Sequence, residues 1–247
     1  MNFEPWQIAL AVLGALLVGI SKTGMTGIGI LFVAIFSSLL PARQATGLVL
    51  PLLIFGDVVA VAVYRKHACW SHVWRLLPWT AAGVVIGYLA LLRIDDHQAG
   101  VLIGTIILGL AALHVWRRRG ASAGVEVTEH GVWFAPLIGV LAGFTTLVAN
   151  AAGPLMAIYL LAMCLPKMEY VGTGAVFFLL LNCFKVPFMM HLGLITAESF
   201  RFNLLLAPAV LAGAWLGWWF LRCIPQRLFE NLALGLGVAA GIRLLLH

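Results

Sequence analysis

The sequence predicts an all-α polytopic membrane protein built from two internal repeats, and three observations lead to this prediction. Hydrophobic residues make up 63% of the 247-residue chain and charged residues only 10%, whereas soluble domains are about 45–50% apolar and about 25% charged. The apolar runs are long and continuous, unlike the alternating segments of about ten residues in a transmembrane β-barrel. Glycines, prolines and polar residues also recur at matching positions in the two halves.

The positive charges indicate membrane topology and not a nucleic-acid partner. The chain has a formal net charge of +6, but its cations cluster in short loops such as Arg65-Lys66-His67 and Arg117-Arg118-Arg119. Short basic loops beside apolar segments are typical of the cytoplasmic side of a membrane protein. We therefore expect the lipid bilayer to be the main surroundings of this protein, with no nucleic acid bound.

The first repeat is predicted to cover residues 1–117, and it begins with a broken helix. An apolar run over about 6–20 is interrupted at Ser21-Lys22-Thr23-Gly24, and a second run covers about 28–40. Together the runs exceed the roughly 20 residues of one membrane span, while each alone is too short. We expect two half-helices that meet inside the membrane.

Three full-length helices are predicted to complete this repeat, over about 45–64, 72–92 and 98–116. The last of them ends at the arginine triplet. Residues 118–131 are the one polar linker in the chain and are predicted to be cytoplasmic. The second repeat then covers residues 132–247.

The second half repeats the landmarks of the first at a separation of about 124 to 131 residues, which indicates internal duplication. Its broken unit covers about 131–165 and is interrupted over Phe144–Pro154. The matching pairs are Gly19 with Gly143, Gly29 with Gly153, Pro78 with Pro208, Gly83 with Gly213, Gly87 with Gly217, and Asp57 with Asn182.

The loop charges favour inverted repeats. Arg65, Lys66 and the arginine triplet place two helix ends inside, so the acidic pair Asp95-Asp96 lies outside. Each broken unit is then a re-entrant hairpin followed by three spanning helices, and an odd number of crossings per repeat inverts the second repeat, as in many secondary transporters. If each broken unit instead crosses the membrane once, the repeats are parallel.

The two breaks predict a shared site for an anion. Irregular backbone at membrane depth must be buried in protein or line a watery cavity, and the N-termini of the helices that restart there attract anions. The predicted substrate-binding residues lie at or near the breaks. They are Ser21, Lys22, Thr23, Gly24, Gly27, Thr146, Asn150, Gly153, Asn182 and Lys185.

Two lysines stand out because a lysine at mid-membrane costs about 2.5–3.5 kcal/mol to insert. Lys22 follows an apolar run and precedes another, which favours a binding role over an interfacial lysine that extends to the headgroups. Lys185 lies three residues after Asn182, so the two share a helix face. For Lys185, a place in the site and extension to the outer interface both remain open.

Asp57 is an acidic residue inside an apolar helix. It either forms a structural ion pair with a lysine or takes up and releases a proton that couples transport, because burial favours the neutral form of a carboxylate. The sequence leaves both roles open.

No enzyme motif is present. The chain has no HExxH, no GxSxG and no P-loop, and its four cysteines have no CxxC spacing. We predict no catalytic residue, no metal site and no cofactor, and the protein is not expected to be an enzyme.

Several of these segments resemble the TauE/SafE sulfite exporter family. The similar stretches are Gly19-Ile20-Ser21-Lys22-Thr23-Gly24 with Gly27 and Gly29, Gly47–Asp57, Tyr64–His67, Gly153-Pro154 and Val171–Gly174. The resemblance covers about residues 8–246. It implies a multi-pass protein of the bacterial inner membrane, a secondary transporter of small sulfur-containing anions such as sulfite, thiosulfate or organosulfonates.

We therefore expect a carrier that binds a small anion at mid-membrane and uses a proton or cation for coupling. An anion channel, or a membrane-embedded binding or assembly subunit, is the alternative. A channel needs a continuous polar path, whereas the polar residues here concentrate at two breaks. The anion, the transport direction and the oligomeric state are not predicted.

Overall fold

The computed structural model describes residues 4–24, 29–40, 42–93 and 133–225, with isolated helical positions at 105, 108, 227–228, 231–232, 235 and 242. Within these ranges the chain is helical and contains no β-strand. The predicted helix over 98–116, the arginine triplet, the 118–131 linker and Gly27 lie outside the described ranges, apart from positions 105 and 108.

The helices with defined bounds follow one another with short connections inside each half of the chain. They are α1 (Pro5–Thr23), α2 (Gly29–Leu39), α3 (Ala42–Tyr64), a 3-10 helix (Arg65–His67), α4 (Trp70–Leu91), α5 (Phe134–Ala149), α6 (Ala152–Ala162), α7 (Lys167–His191) and α8 (Ala197–Cys223).

Five segments of the described chain are long and apolar enough to cross a membrane, which confirms a multi-pass helical protein. They are Pro5–Thr23, Gln44–His67, Trp70–Leu91, Lys167–His191 and Ala197–Cys223. Large apolar side chains on their outer surfaces are exposed, for example Trp74 on α4 and Trp215 on α8, as expected for helices that face lipid.

The described helices end near both predicted breaks: α1 ends at Thr23 and α2 begins at Gly29, and α5 ends at Ala149 and α6 begins at Ala152. Helix α1 continues through Lys22 to Thr23 and is 19 residues long. It is therefore long enough to span the membrane, whereas the sequence predicted a half-helix too short to do so. The second break is only two residues long, Asn150 and Ala151. Asn150 has the left-handed conformation, with φ 51°, which asparagine tolerates better than most residues.

Glycines allow very close packing between helices of opposite halves. Helix α1 packs on α8 and helix α5 packs on α4. A Cβ atom added at Gly213 would overlap the Leu16 carbonyl oxygen, and one added at Gly83 would overlap that of Val140. Small residues that bring backbones together are a common way to join helices in a membrane, because lipid supplies no hydrophobic driving force between them.

Helix α3 lies between two apolar clusters and contributes to both. One cluster is formed mainly by α4 to α7, and the other by α1, α2, α3 and α8. Helix α3 also packs directly on α7. The polar middle segments of these two helices are therefore enclosed by protein, not lipid.

Candidate functional site

Lys22 and Asp57 form a buried ion pair between α1 and α3. Lys22 Nζ lies 2.8 Å from Asp57 Oδ1, and the side chains are 10% and 0% exposed. The ammonium also lies 4.7 Å from the ring centroid of Phe178 on α7, within the range of a cation–π interaction. Lys22 therefore points into the protein at the end of α1.

Asn182 supplies the second contact of the Asp57 carboxylate. Its Nδ2 donates a hydrogen bond of 2.7 Å to Asp57 Oδ2, and Asn182 is 1% exposed. One carboxylate therefore joins α1, α3 and α7. Charge-assisted hydrogen bonds of this kind are stronger than neutral ones.

Lys185 is fully buried and does not extend to the membrane interface. Its Nζ donates to Asn150 Oδ1 over 2.6 Å and to Thr146 Oγ1 over 3.2 Å. Both acceptors lie on or just after α5 and both are neutral. Lys185 is thus held at the second break. Among the described residues, no carboxylate contacts its ammonium group directly.

Asn150 connects this break to α3. Its Nδ2 donates to the Thr46 carbonyl over 3.2 Å while its Oδ1 accepts from Lys185. Its backbone N–H donates to the Thr146 carbonyl over 3.0 Å and so caps the last turn of α5. The left-handed residue is therefore fixed through its side chain and its backbone.

A pocket lies where the two breaks approach each other. It encloses about 400 Å³, including the part that is open to the outside. Its lining residues are Ser21, Lys22, Gly29, Phe32, Leu53, Thr146, Asn150, Gly153, Phe178 and Asn182. Six of them, Ser21, Lys22, Thr146, Asn150, Gly153 and Asn182, are predicted site residues.

The first turns of two helices border this pocket. Gly29 is the first residue of α2 and Gly153 is the second residue of α6. The backbone N–H groups of a first helical turn have no partner within the helix and carry partial positive charge. Pro154 is the third residue of α6, still within its first turn.

Thr23 and Gly24, also predicted to bind substrate, pack against α8 and do not line the pocket. Thr23 Oγ1 donates to the Ala214 carbonyl over 2.6 Å, and Gly24 lies against the backbone of Gly217. The Tyr64 hydroxyl donates to the Thr23 carbonyl over 2.9 Å. These residues fix the end of α1, next to Lys22.

The apolar wall of the pocket, Phe32, Leu53 and Phe178, was not predicted, because apolar residues in a membrane helix look like ordinary core. A signal for two of the three was present. Leu53 precedes Asp57 by four residues and Phe178 precedes Asn182 by four, and residues four apart share a helix face.

The arrangement suits the binding of a small anion. Two buried ammonium groups and two helix N-termini favour negative charge at the pocket, and neutral hydroxyl and amide side chains line the rest of its polar surface. Among the described residues, no group of three or more His, Cys, Asp or Glu side chains is placed to hold a metal ion.

Comparison with known proteins agrees with this architecture. The family model described as sulfite exporter TauE/SafE matches residues 11–244, which is nearly the whole chain. No curated protein and no solved structure gives a significant match. With its multi-pass helical fold, the chain belongs to the TauE/SafE sulfite exporter family.

Proposed function

We propose that this protein is a secondary transporter of small sulfur-containing anions, such as sulfite, thiosulfate or an organosulfonate, in the bacterial inner membrane. The anion binds in the pocket between the two helix breaks. The observation that carries the proposal is the burial of Lys22 and Lys185 beside this pocket, where Asp57 is the one carboxylate in contact with either of them among the described residues. Buried charges in a membrane segment are costly and usually functional.

Lys22 is the proposed primary ligand of the anion. It lines the pocket, and its side chain keeps 10% exposure although its partner Asp57 is fully buried. An ammonium group has three donors, so Lys22 has donors left for a ligand on the pocket side. Ser21 beside it also lines the pocket, and its hydroxyl donates to the Val18 carbonyl.

Lys185, Asn150 and Thr146 form the proposed second half of the site. The Lys185 ammonium is bound only by neutral oxygens in these two contacts, so an anion in the pocket gains from its positive charge. The N-termini of α2 and α6, at Gly29 and Gly153, add partial positive charge.

The mixed polar and apolar lining of the pocket favours a carrier over a channel. Phe32, Leu53 and Phe178 line it together with the polar residues. In the described part of the chain, Lys22, Asp57 and Lys185 make their polar contacts beside this pocket and not along a whole helix. A carrier needs a site of this kind, which opens alternately to the two sides.

We further propose that the two halves are inverted repeats. Leu16 meets Gly213 between α1 and α8 as Val140 meets Gly83 between α5 and α4. The corresponding residues of the two contacts are Leu16 and Val140, about 124 residues apart, and Gly83 and Gly213, about 130 residues apart, which is the separation that the sequence landmarks predict. A repeated contact across halves supports duplication. The assignment of residues 118–131 as a cytoplasmic linker remains a prediction.

Uptake of radiolabelled thiosulfate and sulfite into proteoliposomes tests the proposal. Wild type should show saturable uptake, accelerated by unlabelled anion on the opposite side, as a carrier does. Replacing Lys22 alone would leave Asp57 without its partner, so the informative variant is Lys22→Met with Asp57→Asn. This variant should lose anion uptake, whereas Lys66→Met, at an exposed lysine of the 3-10 helix, should keep it.

Two results would contradict the proposal. Wild-type uptake that does not saturate and is not stimulated from the opposite side would indicate a channel. Equal uptake of both anions by wild type and the Lys22→Met/Asp57→Asn variant would remove Lys22 from the site.

A further inference from the structure

We propose that Asp57 and the transported anion compete for Lys22, so that Asp57 takes up one proton each time a doubly charged sulfur anion binds. This inference rests on the proposed transport function and adds the coupling ion and its stoichiometry. It follows from three features: the occupied ion pair, the burial of the carboxylate and the charge count around it.

The first feature is that Asp57 holds the position of an anion at Lys22. Its Oδ1 is 2.8 Å from the ammonium, the distance at which a sulfur oxyanion would also bind a lysine. Lys22 lines the pocket, so an anion that enters it approaches the same ammonium group. The resting ion pair is therefore the state that an anion must replace or share.

The second feature is the burial of Asp57. Its side chain is 0% exposed, so water cannot compensate the carboxylate if Lys22 turns to a ligand. The remaining close donor would be the neutral Nδ2 of Asn182. A buried carboxylate with one neutral hydrogen bond and a second anion nearby is strongly disfavoured. Protonation at Oδ1 removes this charge.

The third feature is the set of charges that face Asp57. Lys22 on α1 and Lys185 and Cys183 on α7 are the groups that interact with it electrostatically. Helices α2 and α5 contain no ionisable side chain. The ionisable residues of the other neighbours lie toward helix ends: Arg65, Lys66 and His67 of the 3-10 helix, and Glu198, Arg201, Arg222 and Cys223 of α8.

The charge count then sets the stoichiometry. With both lysines protonated, two ammonium groups and one carboxylate leave a net charge of +1, which a singly charged anion balances while it shares Lys22 with Asp57. A doubly charged anion leaves a net charge of −1 in the protein interior unless one proton is added. Asp57 is the acceptor for that proton, because it loses its own cation in the same step. The proton enters from the side that supplies the anion and leaves with it.

Thiosulfate and methanesulfonate are the probes that separate the two charges. Thiosulfate is doubly charged throughout the neutral pH range, whereas sulfite titrates there and would carry a proton itself. Methanesulfonate is singly charged. Proteoliposomes that contain a pH-sensitive dye report proton entry, and radiolabel reports anion entry in the same preparation.

Wild-type protein should acidify the lumen by one proton for each thiosulfate and leave lumen pH unchanged during methanesulfonate uptake. Thiosulfate affinity should weaken by up to about tenfold for each unit rise in pH, since binding takes up a proton. Asp57→Asn should bind thiosulfate without this pH dependence and without proton entry. Lys66→Met should behave as wild type.

Thiosulfate uptake by wild type without lumen acidification would overturn this inference but not the transport function. Absence of any anion uptake would overturn the transport function itself. Proton entry that persists in Asp57→Asn would assign coupling to another group. If Asp57→Asn does not fold, the proton-to-thiosulfate ratio of the wild type decides alone.

Discussion

Asn182 donates a hydrogen bond of 2.7 Å to Asp57, and the two residues occupy corresponding positions on α7 and α3 in the predicted repeats. Both side chains are almost completely buried. The carboxylate of one half is thus held by the amide of the other half, directly beside Lys22. The two halves meet at the one ionisable residue for which a coupling role is proposed.

Replacing Asn182 by leucine should lower the free energy of unfolding by about 1.5–3 kcal/mol, the usual range for a hydrogen bond to a charged group. In an Asp57→Asn background the same change should cost about 0.5–1.5 kcal/mol, because the lost bond is then neutral. Thermal unfolding in detergent micelles measures both differences. Equal costs in the two backgrounds would show that Asn182 does not stabilise the charge.

Asn203 offers a matched control for this comparison of the two backgrounds. It is also a buried asparagine, and its Nδ2 donates to the neutral Leu48 carbonyl over 2.8 Å. Its Oδ1 has no hydrogen-bond partner among the described residues. Asn203→Leu should therefore cost less than Asn182→Leu and should cost the same with and without Asp57→Asn.

The contact between Gly213 and Leu16 gives a second prediction. Gly213→Ala would place a methyl group on the Leu16 carbonyl, where backbone atoms on both sides prevent a cheap rearrangement. Overpacking of this kind costs about 1–3 kcal/mol. A lower thermal midpoint is the expected result, together with slower transport, because α1 carries Lys22.

Gly174→Ala on α7 is the control for the glycine prediction. Its nearest atom, Leu160 Cδ1, is 3.9 Å from the position of the new Cβ atom, an ordinary contact. Alanine is the better helix former by about 0.5–1 kcal/mol, so this variant should be as stable as wild type or more stable. If Gly213→Ala is equally well tolerated, the close packing of α1 and α8 is not a stability determinant.

The described helices of the first half could be predicted from the sequence to within a few residues, because long apolar runs end at charged residues, glycines and prolines. The predicted position of the end of α1 was less accurate. Ser21 and Thr23 look like helix breakers, but the Ser21 hydroxyl donates back to the Val18 carbonyl and the Thr23 hydroxyl donates to the Ala214 carbonyl of α8, and the helix continues to Thr23. Such local hydrogen bonds are available to serine and threonine in a membrane helix.

The members of the site could be predicted better than their pairing. Lys22, Asp57, Asn182 and Lys185 stand out because polar groups are rare in apolar helices. Which lysine pairs with Asp57 depends on how α1, α3 and α7 cross, and residue spacing does not carry this information. For the same reason the sequence left open whether Lys185 points inward, a question that Asn150 and Thr146 answer through their contacts.

The left-handed conformation of Asn150 leads to a third prediction. Asn150→Gly and Asn150→Ala both lose the contacts with Lys185 and Thr46, but only alanine is strained at φ 51°. The strain of about 1–2 kcal/mol exceeds the entropy that glycine loses on folding, so the alanine variant should be less stable by about 1 kcal/mol. Both should weaken thiosulfate binding to the same extent. Equal stability of the two variants would show that the break relaxes around the side chain.

Accessibility of single cysteines tests whether the repeats are inverted. In a background with all four native cysteines replaced, Glu4→Cys and Leu40→Cys mark the ends of the first broken unit. Trp133→Cys and the restored Cys164 mark those of the second. A membrane-impermeant maleimide should label the first pair only from outside and the second pair only from inside. Labelling of Glu4→Cys and Leu40→Cys from opposite sides would show that the first unit spans the membrane once.

Cys69, which lies between the 3-10 helix and α4, gives a prediction about pH. Burial raises the pKa of this thiol, and the Glu169 carboxylate, whose Oε2 lies 3.1 Å from Cys69 Sγ, raises it further. Maleimide reacts with the thiolate, so labelling of a variant with Cys69 as its one cysteine should be slow at neutral pH and accelerate as pH rises. Glu169→Gln removes the negative charge, lowers the pKa and should speed labelling at neutral pH by up to about tenfold. Glu198→Gln on α8 should have no effect, and an unchanged rate in Glu169→Gln would show that the carboxylate does not control this thiol.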